Sequence, residues 1–147
     1  MRIIEMNITL SLLALLFYSA YAYLDPKDFG EELTKAATEG HDICTDITGA
    51  TDDMIKQVRS GNFIEDEKMK RYVLCLWRAS RFADRNLKIN VEAIRQVLPH
   101  MMKKHFPSKA RDCIVQARNS DLKENYDKTY EVMKCLYNLD PEGFIMF

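Results

Sequence analysis

Residues 65–82 have the sequence EDEKMKRYVLCLWRASRF. Large apolar side chains recur in this segment at intervals of three and four residues, at Met69, Tyr72, Val73, Leu76 and Phe82. This spacing predicts an amphipathic α-helix that buries one face. The segment also contains Cys75, so the predicted helix offers a point at which the chain can be cross-linked.

The rest of the chain continues this helical pattern. It has few glycines and prolines, no repeat of fixed period and no sustained alternation of apolar and polar residues that would indicate a strand. The predicted helices cover 26–47, 51–61 with Thr51 as its cap, 65–82, a segment from Asn90 that Pro99 bends or ends, a segment capped by Ser108, and 122–139. The sequence therefore predicts an all-α fold, a compact bundle of about six helices.

Four cysteines lie inside these helical segments, at spacings of 31, 38 and 22 residues: Cys44, Cys75, Cys113 and Cys135. None belongs to the close Cys-x-x-Cys pair that is typical of zinc or redox sites. An even number of well-separated cysteines in a small exported protein indicates two disulfides that staple the bundle. Spacing alone leaves three connectivities open.

Residues 1–22 have the pattern of a cleavable signal peptide. Arg2 precedes an apolar run over 8–18, and Ala20-Tyr21-Ala22 supplies small residues on both sides of a cleavage point after Ala22. The run is short for a membrane span, which argues against stable membrane insertion and leaves an anchored N-terminus as the alternative. We therefore expect a secreted, extracellular helical domain over residues 23–147.

Composition argues against several classes of function. The net charge is −1 and the charges of both signs are interspersed, which predicts no nucleic-acid partner. The sequence has no glycine-rich phosphate loop, no metal-binding histidine pair and no nucleophile elbow. We therefore expect a protein that is not an enzyme and needs no cofactor or metal, with an apolar partner.

The chain ends in four large apolar residues, Phe144-Ile145-Met146-Phe147, after a break at Asp140-Pro141-Glu142-Gly143. Burying each such side chain is worth about 1.5 to 3 kcal/mol, so we expect this tail to leave water. Three arrangements remain open at this point. The tail packs as a cap on the outside of the helices, closes over an internal cavity, or contacts a partner or membrane.

Four local sequences together resemble those of one known family: 44–49 CTDITG, 61–63 GNF, 70–76 KRYVLCL and 125–137 NYDKTYEVMKCLY. Over essentially the whole mature chain, the protein resembles an insect odorant-binding protein of the pheromone-binding type. That family has six cysteines. Here Arg71, four residues before Cys75, and Tyr126, nine before Cys135, stand where the second and fifth would be. The chain thus resembles the four-cysteine variant of the family.

This resemblance implies a disulfide pairing of Cys44 with Cys75 and Cys113 with Cys135. The third bond of the family, which would join positions 71 and 126, is absent. Its loss should loosen the third helix against the sixth. We expect Arg71 and Tyr126 still to face each other, as a cation–π contact.

The resemblance also implies a carrier that holds a small hydrophobic ligand, such as an odorant, a pheromone or a similar semiochemical, in an internal apolar pocket. Such a pocket removes the ligand from water, while the charged helix faces keep the complex soluble. The candidate lining residues are the large apolar side chains on the predicted inner faces and in the tail: Val58, Phe63, Val73, Leu76, Trp77, Ile94, Val97, Leu98, Met101, Ile114, Val132, Leu136, Phe144 and Ile145.

Polar features of the site are less sharply defined by sequence. The candidate hydroxyl donors to a ligand oxygen are Ser80, Tyr72, Tyr126, Tyr130 and Tyr137. Three histidines, His41, His100 and His105, raise the hypothesis that ligand release depends on pH, against the plainer interpretation that they are exposed residues at helix ends.

A second class of function fits the same residues. The chain would then be a secreted helical interaction module of glandular or reproductive fluid that docks on a protein through its apolar C-terminal tail. Homodimerisation through the tail and contact with a receptor are further possible partnerships under either hypothesis.

The proposed cysteine register makes a direct prediction. In the double variant Arg71→Cys with Tyr126→Cys, the new cysteines should form a disulfide and raise the melting temperature, because the bond restores a long-range cross-link. Peptide mapping of the oxidised protein by mass spectrometry checks the pairing. Free thiols at both positions would refute the register.

Overall fold

The computed structural model describes residues 31–98, 103–104 and 106–146. Over these ranges the chain forms six α-helices and no β-strand. The helices are α1 (Glu31–Thr48), α2 (Asp52–Arg59), α3 (Glu67–Ala79), α4 (Val91–Val97), α5 (Phe106–Arg118) and α6 (Asn125–Leu139). The predicted all-α fold is confirmed.

The helix boundaries follow local capping chemistry. The Thr51 side chain accepts a hydrogen bond from the Met54 backbone N–H and starts α2, as the sequence predicts. The start of α5 is a correction. Ser108 lies inside this helix rather than at its cap, because the helix already begins at Phe106, where Pro107 is tolerated in the first turn.

Two further boundaries differ from the predicted ones. Asp66 caps α3 by accepting from the Lys68 and Met69 N–H groups. The same helix ends at Ala79 rather than Phe82, because Arg81 adopts a left-handed φ of 58° and the Phe82 N–H turns back to the Trp77 carbonyl. The last helix begins at Asn125, three residues after the predicted start at Leu122.

The helices pack in a fixed order of neighbours. Helix α1 packs on α3, α3 on α6, α6 on α5, and α5 on α4. The Cys44–Cys75 disulfide joins α1 to α3, and the Cys113–Cys135 disulfide joins α5 to α6, each with Cα atoms 5.7 Å apart. This is the pairing that the family resemblance implies, and it uses all four cysteines. Both cross-links thus connect helices that already pack together.

The core cluster takes buried side chains from α1, α2, α3, α5 and α6. Apart from the disulfide cysteines Cys44 and Cys113, the largest fully buried side chains are Ile55 and Val58 from α2, Met69, Tyr72 and Val73 from α3, and Thr129, Tyr130 and Val132 from α6. Helix α2 has eight residues, too few to be stable alone in water, so burial of Ile55 and Val58 is what stabilises it in the bundle.

The C-terminal segment returns to the bundle after α6. The Asp140 carboxylate accepts from the Gly143 N–H at 3.1 Å and from the Lys109 ammonium at 3.1 Å, which fixes the turn. Phe144 and Met146 are then buried, and the Arg59 guanidinium donates to the Met146 carbonyl at 2.9 Å. The tail therefore packs against its own chain, while Phe147 lies outside the described residues.

The missing third disulfide has a non-covalent counterpart. The Arg71 guanidinium carbon lies 4.7 Å from the centroid of the Tyr126 ring, so the expected contact between α3 and α6 is present. Arg71 also donates to the Glu67 carboxylate at 2.7 Å, which orients its side chain on the surface of α3. The structure thus places Arg71 and Tyr126 face to face, as the cysteine register predicted.

Among the described residues, no helix combines the length and the apolar character that crossing a membrane requires.

Two glycines predict opposite responses to alanine. Gly61 has a φ of 87°, and a Cβ there would lie 2.1 Å from the Tyr137 hydroxyl oxygen. Gly61→Ala should therefore lower the free energy of unfolding by about 1 to 3 kcal/mol. Gly40 lies inside α1, where a Cβ meets only ordinary contacts with Leu76 and Ala79.

Gly40→Ala is the matched control for this strain. It should raise the free energy of unfolding by about 0.5 to 1 kcal/mol, because alanine loses less backbone entropy in a helix. Urea denaturation followed by circular dichroism measures the free energy of unfolding of both variants. Equal effects of the two substitutions would contradict the conformation assigned to Gly61.

Candidate ligand-binding site

The predicted lining residues fall into three groups in the structure. Six are buried members of the central core cluster: Val58, Val73, Trp77, Ile114, Val132 and Phe144. Three half-buried side chains pack against that cluster: Phe63, Leu76 and Leu136. The fold therefore brings nine of the fourteen predicted residues together in one apolar region.

The remaining predicted residues lie around and after α4 and in the tail. Ile94 and Leu98 are buried but are not members of the central cluster. Val97 and Ile145 are half-buried, and Met101 lies outside the described residues. A buried side chain can belong to a filled core or to a cavity wall, so contact of these residues with a ligand stays a prediction.

Four aromatic rings form an edge-to-face cluster that connects the α2–α3 loop, α6 and the tail. Phe63 lies 5.6 Å from Tyr130, 5.5 Å from Tyr137 and 5.9 Å from Phe144, measured between ring centroids. Tyr137 and Phe144 are 5.1 Å apart. Edge-to-face pairs of this kind add to the energy of burial and fix ring orientation. The cluster thus holds Phe63 and Phe144 within the predicted apolar region.

The tyrosine hydroxyls are engaged by the protein. The Tyr130 hydroxyl donates to the Ile64 carbonyl at 2.7 Å, and the Tyr137 hydroxyl donates to the Ser60 carbonyl at 3.4 Å. Burial raises the pKa of Tyr130, which keeps this donor protonated. These two candidates for a polar ligand contact therefore have a structural role that the sequence pattern did not show.

Tyr72 is a fully buried side chain of α3 and carries the hydroxyl of that helix. Its oxygen lies 2.8 Å from His41 Nδ1, and the two rings meet edge to face at 5.9 Å. Burial raises the pKa of the Tyr72 phenol, so it remains neutral beside the imidazole.

This contact corrects the expectation that His41 is an exposed residue at a helix end. His41 lies within α1, is partly buried, and has its Nε2 atom 3.6 Å from the Asp52 carboxylate. His100 and His105, the other two histidines of the pH hypothesis, lie outside the described residues. The other two polar candidates are more exposed: Tyr126 packs under Arg71, and Ser80 ends α3 at the surface.

A separate groove of about 410 Å³ opens to solvent between α5 and α6, along the Cys113–Cys135 disulfide. Its wall combines polar and apolar side chains: Gln116, Ala117, Ser120, Glu131, Lys134, Asn138 and Leu139. None of these was predicted to contact a ligand, although their spacing of three and four residues marks one face of each helix. The charged and amide groups make the groove a poor match for a fully apolar molecule.

Two further observations concern metal-ion ligands and buried polar atoms among the described residues. No group of three or more histidine, cysteine, aspartate or glutamate side chains in this part of the chain is arranged to hold a metal ion. The described buried side-chain nitrogen and oxygen atoms all have a hydrogen-bond partner.

These features define a small helical bundle with two disulfides around an aromatic-rich core. Residues 26–138 match the PBP/GOBP family, and the chain belongs to that family. The chain is 26% identical over 103 residues to the B1 protein of Tenebrio molitor. This alignment covers 69% of this chain and 75% of that protein.

Solved structures show the same fold. Odorant binding protein 5 of Apis mellifera superposes with a TM-score of 0.65 at 19% identity, over 79% of this chain and 95% of that one. Odorant binding protein 4 of Chrysopa pallens gives a TM-score of 0.59 at 24% identity, over 78% of this chain and 96% of that one. The resemblance to insect odorant-binding proteins is thus confirmed, and the two disulfides fit the four-cysteine variant.

The hydrogen bonds of the aromatic cluster predict a contrast between two conservative variants. Tyr130→Phe removes a short bond to a carbonyl from a fully buried side chain, and should lower the free energy of unfolding by about 1 to 2 kcal/mol. Tyr137→Phe removes a long bond at the surface and should change stability by less than about 0.5 kcal/mol. Chemical denaturation measures both, and a larger effect of Tyr137→Phe would contradict these roles.

Proposed function

We propose that this protein is a secreted, non-enzymatic carrier that holds one small hydrophobic ligand, an odorant, a pheromone or a similar semiochemical, in an apolar pocket between its helices. The observation that carries the proposal is the family match over residues 26–138, because a small-ligand carrier is the function that this family and fold support. The aliphatic and aromatic side chains gathered around Trp77 and Phe63 supply the surface that such a ligand needs.

The hydrogen bonds of the core favour a ligand with little polarity. The buried Tyr72 and Tyr130 hydroxyls already pair with His41 and with the Ile64 carbonyl. A ligand with several polar groups would give up its hydration and find few free partners, at a cost of about 1 to 3 kcal/mol for each group left unpaired. We therefore expect hydrocarbon-like molecules with at most one small oxygen function.

The two disulfides and the N-terminal sequence support secretion. Disulfides form and persist in oxidising compartments such as the secretory pathway and extracellular fluids. The predicted signal peptide over 1–22 lies outside the described residues. A mature chain that begins at residue 23 is accordingly part of the proposal.

The alternative, an interaction module that docks through its tail, is less favoured by the contacts of the tail. Phe144 and Met146 are buried against the same chain, and Arg59 holds the backbone of Met146 in place. Their apolar surface is therefore occupied within the protein. A homodimer and a contact with a receptor stay predictions.

Binding of a fluorescent apolar probe tests the carrier function. The oxidised chain 23–147 should bind N-phenyl-1-naphthylamine saturably, with a stoichiometry of about one and a dissociation constant on the order of micromolar. A medium-chain aldehyde or ester should displace the probe, and glycerol should not. Trp77→Phe controls for energy transfer from the single tryptophan.

The same titration separates the two functions. Absence of saturable uptake by the folded, oxidised chain would reject the carrier proposal. An interaction module would instead form a protein complex that is lost when residues 141–147 are deleted.

A further inference from the structure

The two disulfides divide the four longest described helices into two covalent pairs. Cys44–Cys75 joins α1 to α3, and Cys113–Cys135 joins α5 to α6. Helix α3 also packs on α6, but all four cysteines are already used. The seam between α3 and α6 is therefore held without a covalent bond.

Ion pairs bridge this seam beside the Arg71–Tyr126 contact. The Lys70 ammonium on α3 lies 2.7 Å from the Glu65 carboxylate and 2.9 Å from the Asp127 carboxylate on α6. The Lys134 ammonium on α6 pairs with the same Glu65 and with Glu131. We call Glu65, Lys70, Asp127, Glu131 and Lys134 the seam cluster. Glu65 pairs with both lysines. Two ion pairs therefore join the start of α3 to α6: Lys70 with Asp127, and Glu65 with Lys134.

The seam cluster is shielded on one side by an aromatic ring. The Lys70 and Lys134 ammonium groups lie 5.9 and 5.1 Å from the centroid of the buried Tyr130 ring. Their side chains are only 19% and 24% exposed, which strengthens the pairs relative to fully solvated ones. The Glu65 and Glu131 carboxylates are more accessible, at 60% and 45% exposed, so dissolved salt still reaches the cluster.

Proton binding to Glu65 weakens the seam in acid. The bonds from Lys134 and Lys70 lower the pKa of Glu65 below its ordinary value of 4.5, and the bond to Glu65 raises the pKa of Lys70. A carboxylate with a lowered pKa stabilises the folded state above 4.5 and loses that effect as the pH falls through its folded pKa. At neutral pH Glu65 is ionised, so ionic strength rather than proton binding weakens its two ion pairs.

We propose that the α3–α6 seam is the gate through which ligand enters and leaves, and that the seam cluster with the Arg71–Tyr126 contact is its latch. The gate rests on the proposed carrier function. It opens when the α1/α3 pair and the α5/α6 pair separate as two covalently closed units. Val73 and Trp77 of α3 and Val132 of α6 belong to the core cluster that both pairs enclose.

The chemistry of the latch suits repeated opening. Partly exposed ion pairs break and re-form without a chemical reaction, whereas a disulfide at the same seam would hold the two units together. Salt weakens each pair by screening, so the gate should exchange ligand faster as ionic strength rises.

Stopped-flow kinetics with N-phenyl-1-naphthylamine tests the gate. The oxidised Arg71→Cys/Tyr126→Cys protein should keep equilibrium binding, while its association and dissociation rates both fall at least about tenfold relative to Arg71→Ser/Tyr126→Ser. Lys70→Met should raise both rates roughly two- to fivefold and reduce their dependence on sodium chloride, while the remaining Glu65–Lys134 pair keeps part of that dependence. Lys68→Met is the matched control, since Lys68 is an exposed lysine on the same helix outside the seam cluster, and it should leave the rates unchanged.

The outcomes separate the gate from the carrier function. Saturable binding with equal rates in the locked and serine variants would overturn the gate and leave the carrier function intact. No binding by the wild-type chain would overturn the carrier function itself. If the oxidised double-cysteine protein takes up no probe, the probe is added to the reduced protein and the disulfide is formed afterwards. Slow release of the trapped probe would then support the gate. Release at the wild-type rate would overturn it.

The lysine variants keep the test decisive if the introduced cysteines remain reduced. Rates that respond to salt and to Lys70→Met, but not to Lys68→Met, support the latch. Rates that are indifferent to both lysines and to salt overturn it.

Discussion

The cross-linking of neighbouring helices by Cys44–Cys75 and Cys113–Cys135 is the constraint on which the rest of the bundle depends. A domain of this size buries a modest core, and the chain-entropy account attributes roughly 3 to 4 kcal/mol of stability to each bond for loops of this length. Once α1 is tied to α3 and α5 to α6, the contact between α3 and α6 completes the central packing. The apolar faces of these helices then have one another as partners.

The aromatic cluster shows how the end of the chain contributes to the same packing. Phe144 reaches Phe63 and Tyr137, and Arg59 holds the Met146 carbonyl, so the tail covers apolar surface between α2 and α6. The Tyr130 hydroxyl, which would be costly to bury alone, is paired with the Ile64 carbonyl. The tail thus completes the closure of a mainly apolar core.

The α3–α6 seam combines stability with the capacity to open. Where six-cysteine relatives have a covalent bond, this chain has Arg71 over Tyr126 and a group of ion pairs centred on Glu65. Such contacts are individually weak and sensitive to salt, so they hold the seam closed without making closure permanent. The division of the bundle into two covalent units follows from the positions of four cysteines. The joint between the units combines buried apolar packing with the ion pairs at its edge.

The sequence by itself determined the helical fold, the cap of α2 at Thr51 and the apolar face of α3, because these depend on residues within a turn or two of one another. It misplaced the start of α5 and the exposure of His41, where Pro107 and Tyr72 decide the outcome. Only the tertiary structure decided which tyrosine hydroxyls are occupied, where Phe144 packs and how Glu65 joins Lys70 to Lys134. Periodicity shows which face of a helix is buried, but the partner of that face lies dozens of residues away and is selected by the packing of the whole chain.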